Sequence, residues 1–158
     1  MYDPASIILR PNVPRGAAGS AREWLAGYYA HGTALDACFG GLLDELARTG
    51  LDRTTVVVFA SDHGDMLGSQ GHAGKQLPYD ESIRVPFLLR RPGRIDCAGR
   101  TEPAALNAPD VMPTVLGLMG VPVPATVEGL DFSPVLSGGK VPGDGTAYLA
   151  CYRPHHEL

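Results

Sequence analysis

The sequence predicts an α/β fold, and three observations carry that prediction. A long stretch of helical periodicity comes first, an unbroken β-branched run follows it, and a second strand and helix come after a polar loop. In the first stretch, apolar residues recur at Leu25, Tyr28, Leu35, Phe39, Leu42 and Leu46, which is one face of a single helix. Ser20-Ala21-Arg22-Glu23 has the form of a capping box and sets the expected start. Gly50, suited to the left-handed conformation, sets the expected end, and Gly40-Gly41 marks a weak centre. Thr54–Ala60 (TTVVVFA) is apolar without alternation, as in a strand covered on both faces within a parallel sheet. Ile83–Arg90 (IRVPFLLR) is the second strand, with Pro86 at a strand start or an edge because it has no N–H to donate. Pro109–Met119 is a shorter helix stopped by Gly120, with Pro113 tolerated near its first turn. Val121 to Gly145 reads as extended, proline-governed connection, and Thr146–Tyr152 as a candidate last strand.

Composition narrows the classes. With 158 residues the chain has the size of one domain and can bury a core. Its 44% hydrophobic and 19% charged content is that of a globular protein. A net charge of −4 with scattered Lys and Arg argues against a nucleic-acid partner. No apolar run approaches the roughly 20 residues of a membrane span. The opening MYDPASIILRPNVPRG lacks the charged start and apolar centre of a signal peptide, so localisation stays unknown. Cys38, Cys97 and Cys151 are odd in number and widely spaced, which reads as buried thiols rather than a disulfide framework.

The buried run ends abruptly in Phe59–Lys75, FASDHGDMLGSQGHAGK. In open α/β sheets ligands bind beyond the carboxyl ends of strands, which is where Asp62-His63 falls. A carboxylate beside an imidazole can hold a divalent cation through oxygen and nitrogen, and Gly64 lets the backbone turn close by. A site closed by Asp62, His63, Asp65 and His72 has no compact ligand spacing, so further ligands are expected from elsewhere. Lys75 is suited to clamp a tetrahedral oxyanion as a compact point charge. The bland alternatives are a simple Asp-Gly turn and a solvated lysine.

The stretch SDHGDMLGSQGHAGKQLPYDESIRVPFLLRRPG resembles the second signature region of the sulfatases, in the alkaline phosphatase superfamily. The resemblance extends outward. Tyr2-Asp3-Pro4 and Pro11-Asn12 are similar to the family's segment before its long helix, and Gly27-Tyr28-Tyr29-Ala30 with Leu35-Asp36 to that helix. Asp110-Val111-Met112-Pro113-Thr114-Val115-Leu116 resembles an Asp-x-x-Pro-Thr-Leu-Leu helix, and Glu128-Gly129 with Ser133-Pro134-Val135-Leu136 the segment that follows it. The resemblance implies part of an alkaline-phosphatase-like mixed sheet flanked by helices, with a proline/glycine-rich carboxyl-side extension. Residues 1–120 would be the carboxyl-side part of the α/β domain. Residues 121–158 would be an extended connection opening a smaller subdomain.

By the same resemblance Asp62 and His63 are ligands of one divalent metal ion, Ca, Mn or Zn, and Lys75 contacts the sulfate or phosphate group. His72 is a candidate substrate contact, with a surface role as its alternative. Glu81 and Arg84 read as structural polar residues, His31 as a core or surface residue, and His155-His156 as part of a tail. The implied substrate is a small-molecule sulfate ester, with phosphate or phosphonate esters as the alternative. Sulfatases attack with a formylglycine made from C/S-x-P-x-R, and this chain holds no such motif. The formylglycine is therefore expected in an amino-terminal part outside this chain, with Met1 internal or a misassigned start. The chain alone is expected to be inactive and, with open sheet edges, prone to self-association. A structural or binding remnant without turnover is the other class of reading.

Overall fold

The computed structural model describes residues 2–92 and 99–149, which divide into two compact units. One takes residues 2–51 and 61–86, the other residues 52–60, 87–92 and 99–149.

The first unit is built on α1, Ala18–Thr49. The helix starts earlier than Ser20, because a 3-10 turn at Arg15–Ala17 already has helical dihedrals and feeds directly into it. Ser20 thus lies inside the first turn, where it has no N-cap to make. Gly50 ends the helix at φ 74°, as its sequence position predicts. The apolar stripe is only partly covered: Leu25, Phe39 and Leu46 are half-buried, while Tyr28, Leu35 and Leu42 are exposed. Along this helix the packing is tight at Ala21, which is fully buried, and a Cβ added to Gly68 would lie 2.6 Å from its methyl. A small residue on the helix and none on the loop let the two backbones meet. Tyr2 holds the other end of the contact, its ring edge-on to Tyr29 and its hydroxyl 2.9 Å from Thr33 Oγ1. His31 is exposed on this helix, and so is Cys38, against the expectation of a buried thiol. Cys97, Cys151 and His155-His156 lie outside the described residues.

The second unit contains β1, Val57–Ala60, paired with β2, Phe87–Arg90. The pairing is antiparallel, Val57 opposite Arg90 and Ala60 opposite Phe87, where a parallel neighbour was expected. Missing alternation reports similar cover on both faces, and Val57, Val58 and Phe59 are indeed all half-buried. It carries no information on strand direction. β2 starts just after Pro86 because that residue cannot donate to the ladder. Of the strand expected over Ile83–Arg90 only Phe87–Arg90 forms, and Ile83 instead ends a single helical turn, α2, Asp80–Ile83, which belongs to the first unit.

α3, Ala108–Met119, organises the rest of the second unit. Its buried Asp110 accepts hydrogen bonds from the Asn107 amide (2.8 Å) and, across the packing, from the Leu130 amide (2.8 Å). Thr114 Oγ1 accepts from the Phe132 amide at 3.0 Å. Pro113 lies in the second turn and offers no N–H to the Pro109 carbonyl. Gly129 backs directly onto that carbonyl, and a Cβ there would fall 2.0 Å from its oxygen. The segment after residue 121 is irregular apart from a 3-10 turn at Ser133–Ser137. Residues 146–149 are not a strand, and the remainder of that candidate lies outside the described residues. Among the described residues no helix is long and apolar enough to cross a membrane.

Two glycines separate packing from propensity. Gly129→Ala should destabilise the chain by about 1–3 kcal/mol, since the backbone contact has no room for a methyl. Gly27→Ala, with nothing within 4 Å of its added Cβ inside α1, should stabilise it by up to about 1 kcal/mol. Urea denaturation followed by circular dichroism measures both.

Candidate functional site

The chain leaves β1 at Ala60 and enters the polar loop. Ser61 Oγ donates to the His63 carbonyl at 2.8 Å, and Asp62 Oδ1 accepts from the His63 amide at 3.0 Å. These local bonds fold the dipeptide into a turn with the Asp62 side chain 83% exposed and the His63 ring 39% exposed. His63 Nδ1 lies 2.8 Å from the Gly64 carbonyl, which can only accept, so Nδ1 carries the proton. The lone pair of the neutral ring is then on Nε2. That atom lies 3.3 Å from Asp62 Oδ2 and in hydrogen-bond contact with Lys75 Nζ.

Two electron-pair donors this close need a positive charge beside them. Adjacent ligands of one divalent ion stand about 3.0–3.4 Å apart when metal–ligand bonds are about 2.0–2.4 Å. The Oδ2–Nε2 pair fits that spacing. What little desolvation this exposed carboxyl feels pushes it up, but the His63 amide and the nearby Lys75 ammonium outweigh it, leaving the carboxyl below its ordinary value. Asp62 is therefore an anion wherever metal binding would be measured near neutrality.

Gly64 fixes this turn to α2. Its amide donates to the Ser82 carbonyl at 2.9 Å, and an added Cβ would lie 1.9 Å from the Glu81 carbonyl oxygen. Beyond it, fully buried Met66 anchors a small hairpin through Met66 N–H to the Gly74 carbonyl (2.7 Å) and Gly68 N–H to the His72 carbonyl (2.8 Å). This hairpin returns the chain so that Lys75 meets His63. The anchoring role of Met66 escaped the sequence reading, although Met66-Leu67 is the only apolar pair in a stretch of glycine and polar residues.

The structure thus brings together Asp62, His63 and Lys75. Asp65 is turned to its own loop, accepting from the Leu67 amide at 2.9 Å. The exposed His72 ring stacks on Tyr79, centroids 6.5 Å apart and planes 26° apart. Among the described residues no three His, Cys, Asp or Glu side chains gather as a metal-binding group. Arg84 pairs with Asp80 at the surface, at 3.3 Å. Glu81, by contrast, has an 11% exposed side chain facing Asn12 and Arg10.

The chain matches known proteins over most of its length. The family model for sulfatases covers residues 11–121. An ulvan-active sulfatase of Formosa agariphila is 42% identical over 98% of this chain and 30% of its own length. A solved structure from work on glycosaminoglycan metabolism by Bacteroides thetaiotaomicron superposes with a TM-score of 0.78 at 39% identity, over 95% of this chain and 29% of that one. A phosphonate monoester hydrolase from Silicibacter pomeroyi superposes with a TM-score of 0.73 at 31% identity, over 90% and 28%. The chain belongs to the sulfatase family, within the alkaline phosphatase superfamily, and has its mixed α/β fold. It spans about three-tenths of the length of these relatives.

The Asn12 hydrogen bond, then the other partners of Glu81, hold that carboxyl below its ordinary value of 4.5. A depressed carboxyl contributes stability that is complete above its unfolded value and is lost as pH falls through the lower folded value. The urea midpoint should therefore fall below about pH 4.5, and Glu81→Gln should flatten that part of the profile. A midpoint with the same acid limb in both proteins would show that Glu81 contributes nothing to it.

Proposed function

We propose that this chain is the carboxyl-side portion of a metal-dependent hydrolase of sulfate esters. Residues 1–120 then belong to the α/β domain and residues 121–158 to the connection into a smaller subdomain. The observation that supports the reading most is the 3.3 Å pair of Asp62 Oδ2 and His63 Nε2 with Lys75 beside it. Asp62 and His63 would hold one divalent ion, and the nitrogen ligand favours Mn or Zn over Ca. Such an ion, when bound, supplies Lewis acidity to an ester oxygen. The residues of this chain do the rest of the work assigned to it. Gly64 C=O keeps the proton on Nδ1 and so leaves the lone pair on Nε2, which an ion would take over from Lys75 Nζ. Lys75 places an ammonium where negative charge grows on the transferred group, a stabilisation of the oxyanion-hole kind. His72, exposed next to Tyr79, is a secondary substrate contact. Formylglycine and the remaining ligands would come from sequence outside this chain.

The same donor set serves phosphonate or phosphate esters, since a lysine and a metal recognise the tetrahedral oxyanion in either case. The likeness to the Silicibacter pomeroyi phosphonate monoester hydrolase makes this the second reading. Exposed Trp24, Tyr28, Leu35 and Leu42 on α1 support self-association of the isolated chain.

In a full-length protein carrying this segment, Asp62→Ala and His63→Ala should each lower the bound-metal stoichiometry measured by atomic emission. Lys75→Ala should keep the metal, since an ammonium has no lone pair to ligate with, and lower kcat by about 3 kcal/mol, or roughly 10²-fold. Metal content unaffected in both ligand variants would refute the assignment. Comparing aryl sulfate with phosphonate monoester turnover then ranks the two substrate classes.

The 158-residue chain by itself should hydrolyse neither a chromogenic sulfate nor a chromogenic phosphodiester with Mn²⁺, Ca²⁺ or Zn²⁺ added. Two side-chain ligands leave most of an ion's sphere to water, and no nucleophile motif is present. Turnover abolished by Asp62→Ala would mean that the loop is a complete active site.

A further inference from the structure

Glu81 lies in a knot that nothing in the proposed chemistry uses. Its Oε1 accepts from Asn12 Nδ2 at 2.6 Å and stands 3.6 Å from Arg10 Nη1. The Asn12 carbonyl in turn accepts from the Gln70 amide at 2.9 Å, next to the buried Ser69. One carboxylate therefore ties the segment before α1 to the hairpin after the Asp62-His63 turn. On its other side, the peptide of Glu81 is the wall against which Gly64 rests, and the next carbonyl, Ser82, accepts the Gly64 amide. Asn12 Oδ1 is buried with no partner of its own, so the Nδ2 bond to Glu81 is what fixes the orientation of that amide.

We propose that Glu81 is a positioning residue: its clamp on Asn12 and Arg10 holds α2 against Gly64 and so sets the His63 ring for cation binding. The cation half of this rests on the metal reading above, while the geometric half stands without it. The side-chain oxygen of Glu81 takes the Asn12 amide as its hydrogen-bond donor, and its charge adds the longer-range attraction of Arg10. Partners that orient metal ligands at one remove are typically worth about 10–100-fold in metal affinity. Glutamine keeps one oxygen for Asn12 and surrenders the Arg10 attraction, so it should preserve most of the effect.

The test uses the 158-residue chain, with amide hydrogen exchange followed residue by residue and Mn²⁺ affinity measured by electron paramagnetic resonance. Glu81→Ala should lower the protection of the Gly64 amide by about tenfold or more, with α1 amides unchanged. It should also weaken Mn²⁺ binding by about 10–100-fold. Glu81→Gln should stay within about threefold of the unaltered chain on both measures. The proposal is overturned if Gly64 protection is the same in Glu81→Ala, or if it is lost equally along α1. It is overturned too if Gly64 exchanges freely in the unaltered chain. Should the isolated chain hold Mn²⁺ too weakly to measure, Gly64 exchange alone decides the role of Glu81, and the metal reading rests on the metal content of the full-length variants.

Discussion

The first unit depends on one close contact, the approach of the Gly64 backbone to the backbone of Glu81 and Ser82. Any side chain at position 64 would overlap a carbonyl oxygen, with a Cβ only 1.9 Å away. That contact joins a turn carrying two electron-pair donors to a helical turn whose other face is pinned by Asn12 and Arg10. The turn has few bonds of its own beyond those of Ser61, Asp62 and His63. Its shape is therefore imposed from outside, by α2 on one side and by the Met66 hairpin that returns Lys75 on the other. A half-exposed histidine with a fixed proton position is the product of that enclosure.

The second unit solves a related problem with side chains. α3 carries Asp110, Thr114 and Gly117 on one face at helical spacing, and each meets the irregular segment 129–133. The first two accept amides that have no strand partner, as buried backbone donors require. Gly117 leaves room for the Asp131 carboxylate, which a Cβ would meet at 2.3 Å. Pro113 costs the helix a hydrogen bond, and the carbonyl so released is the one that Gly129 covers. Side-chain acceptors on α3 thus stand in for a strand partner along this irregular connection.

These devices explain what could be read from sequence. Helix ends marked by Gly50 and Gly120 were legible, because a left-handed residue is a local demand. Asp62, His63 and Lys75 were legible as candidates from residue type, position and resemblance, and their side chains do lie side by side. The N-terminus of α1 was not, because Ser20-Ala21-Arg22-Glu23 matches a capping box that the preceding 3-10 turn makes unnecessary. Nor was the antiparallel partner of β1, since cover on both faces says nothing of direction. The work of Glu81 and Met66 lies in contacts distant along the chain, Asn12 to Glu81 and Met66 to Gly74, and no local pattern announces those. The partly open face of α1 escaped for the opposite reason: periodicity declares which side is apolar, not whether anything covers it.

The account stands on Asp62 and His63 being adjacent donors to one cation. Titrating the isotope-labelled chain with Mn²⁺ and following site-specific NMR line broadening tests this most directly. Broadening should begin at Asp62, His63 and Gly64 and reach Lys75, with Asp65 and the His72 ring affected later. Broadening centred elsewhere, or spread evenly over the surface carboxylates, would contradict it.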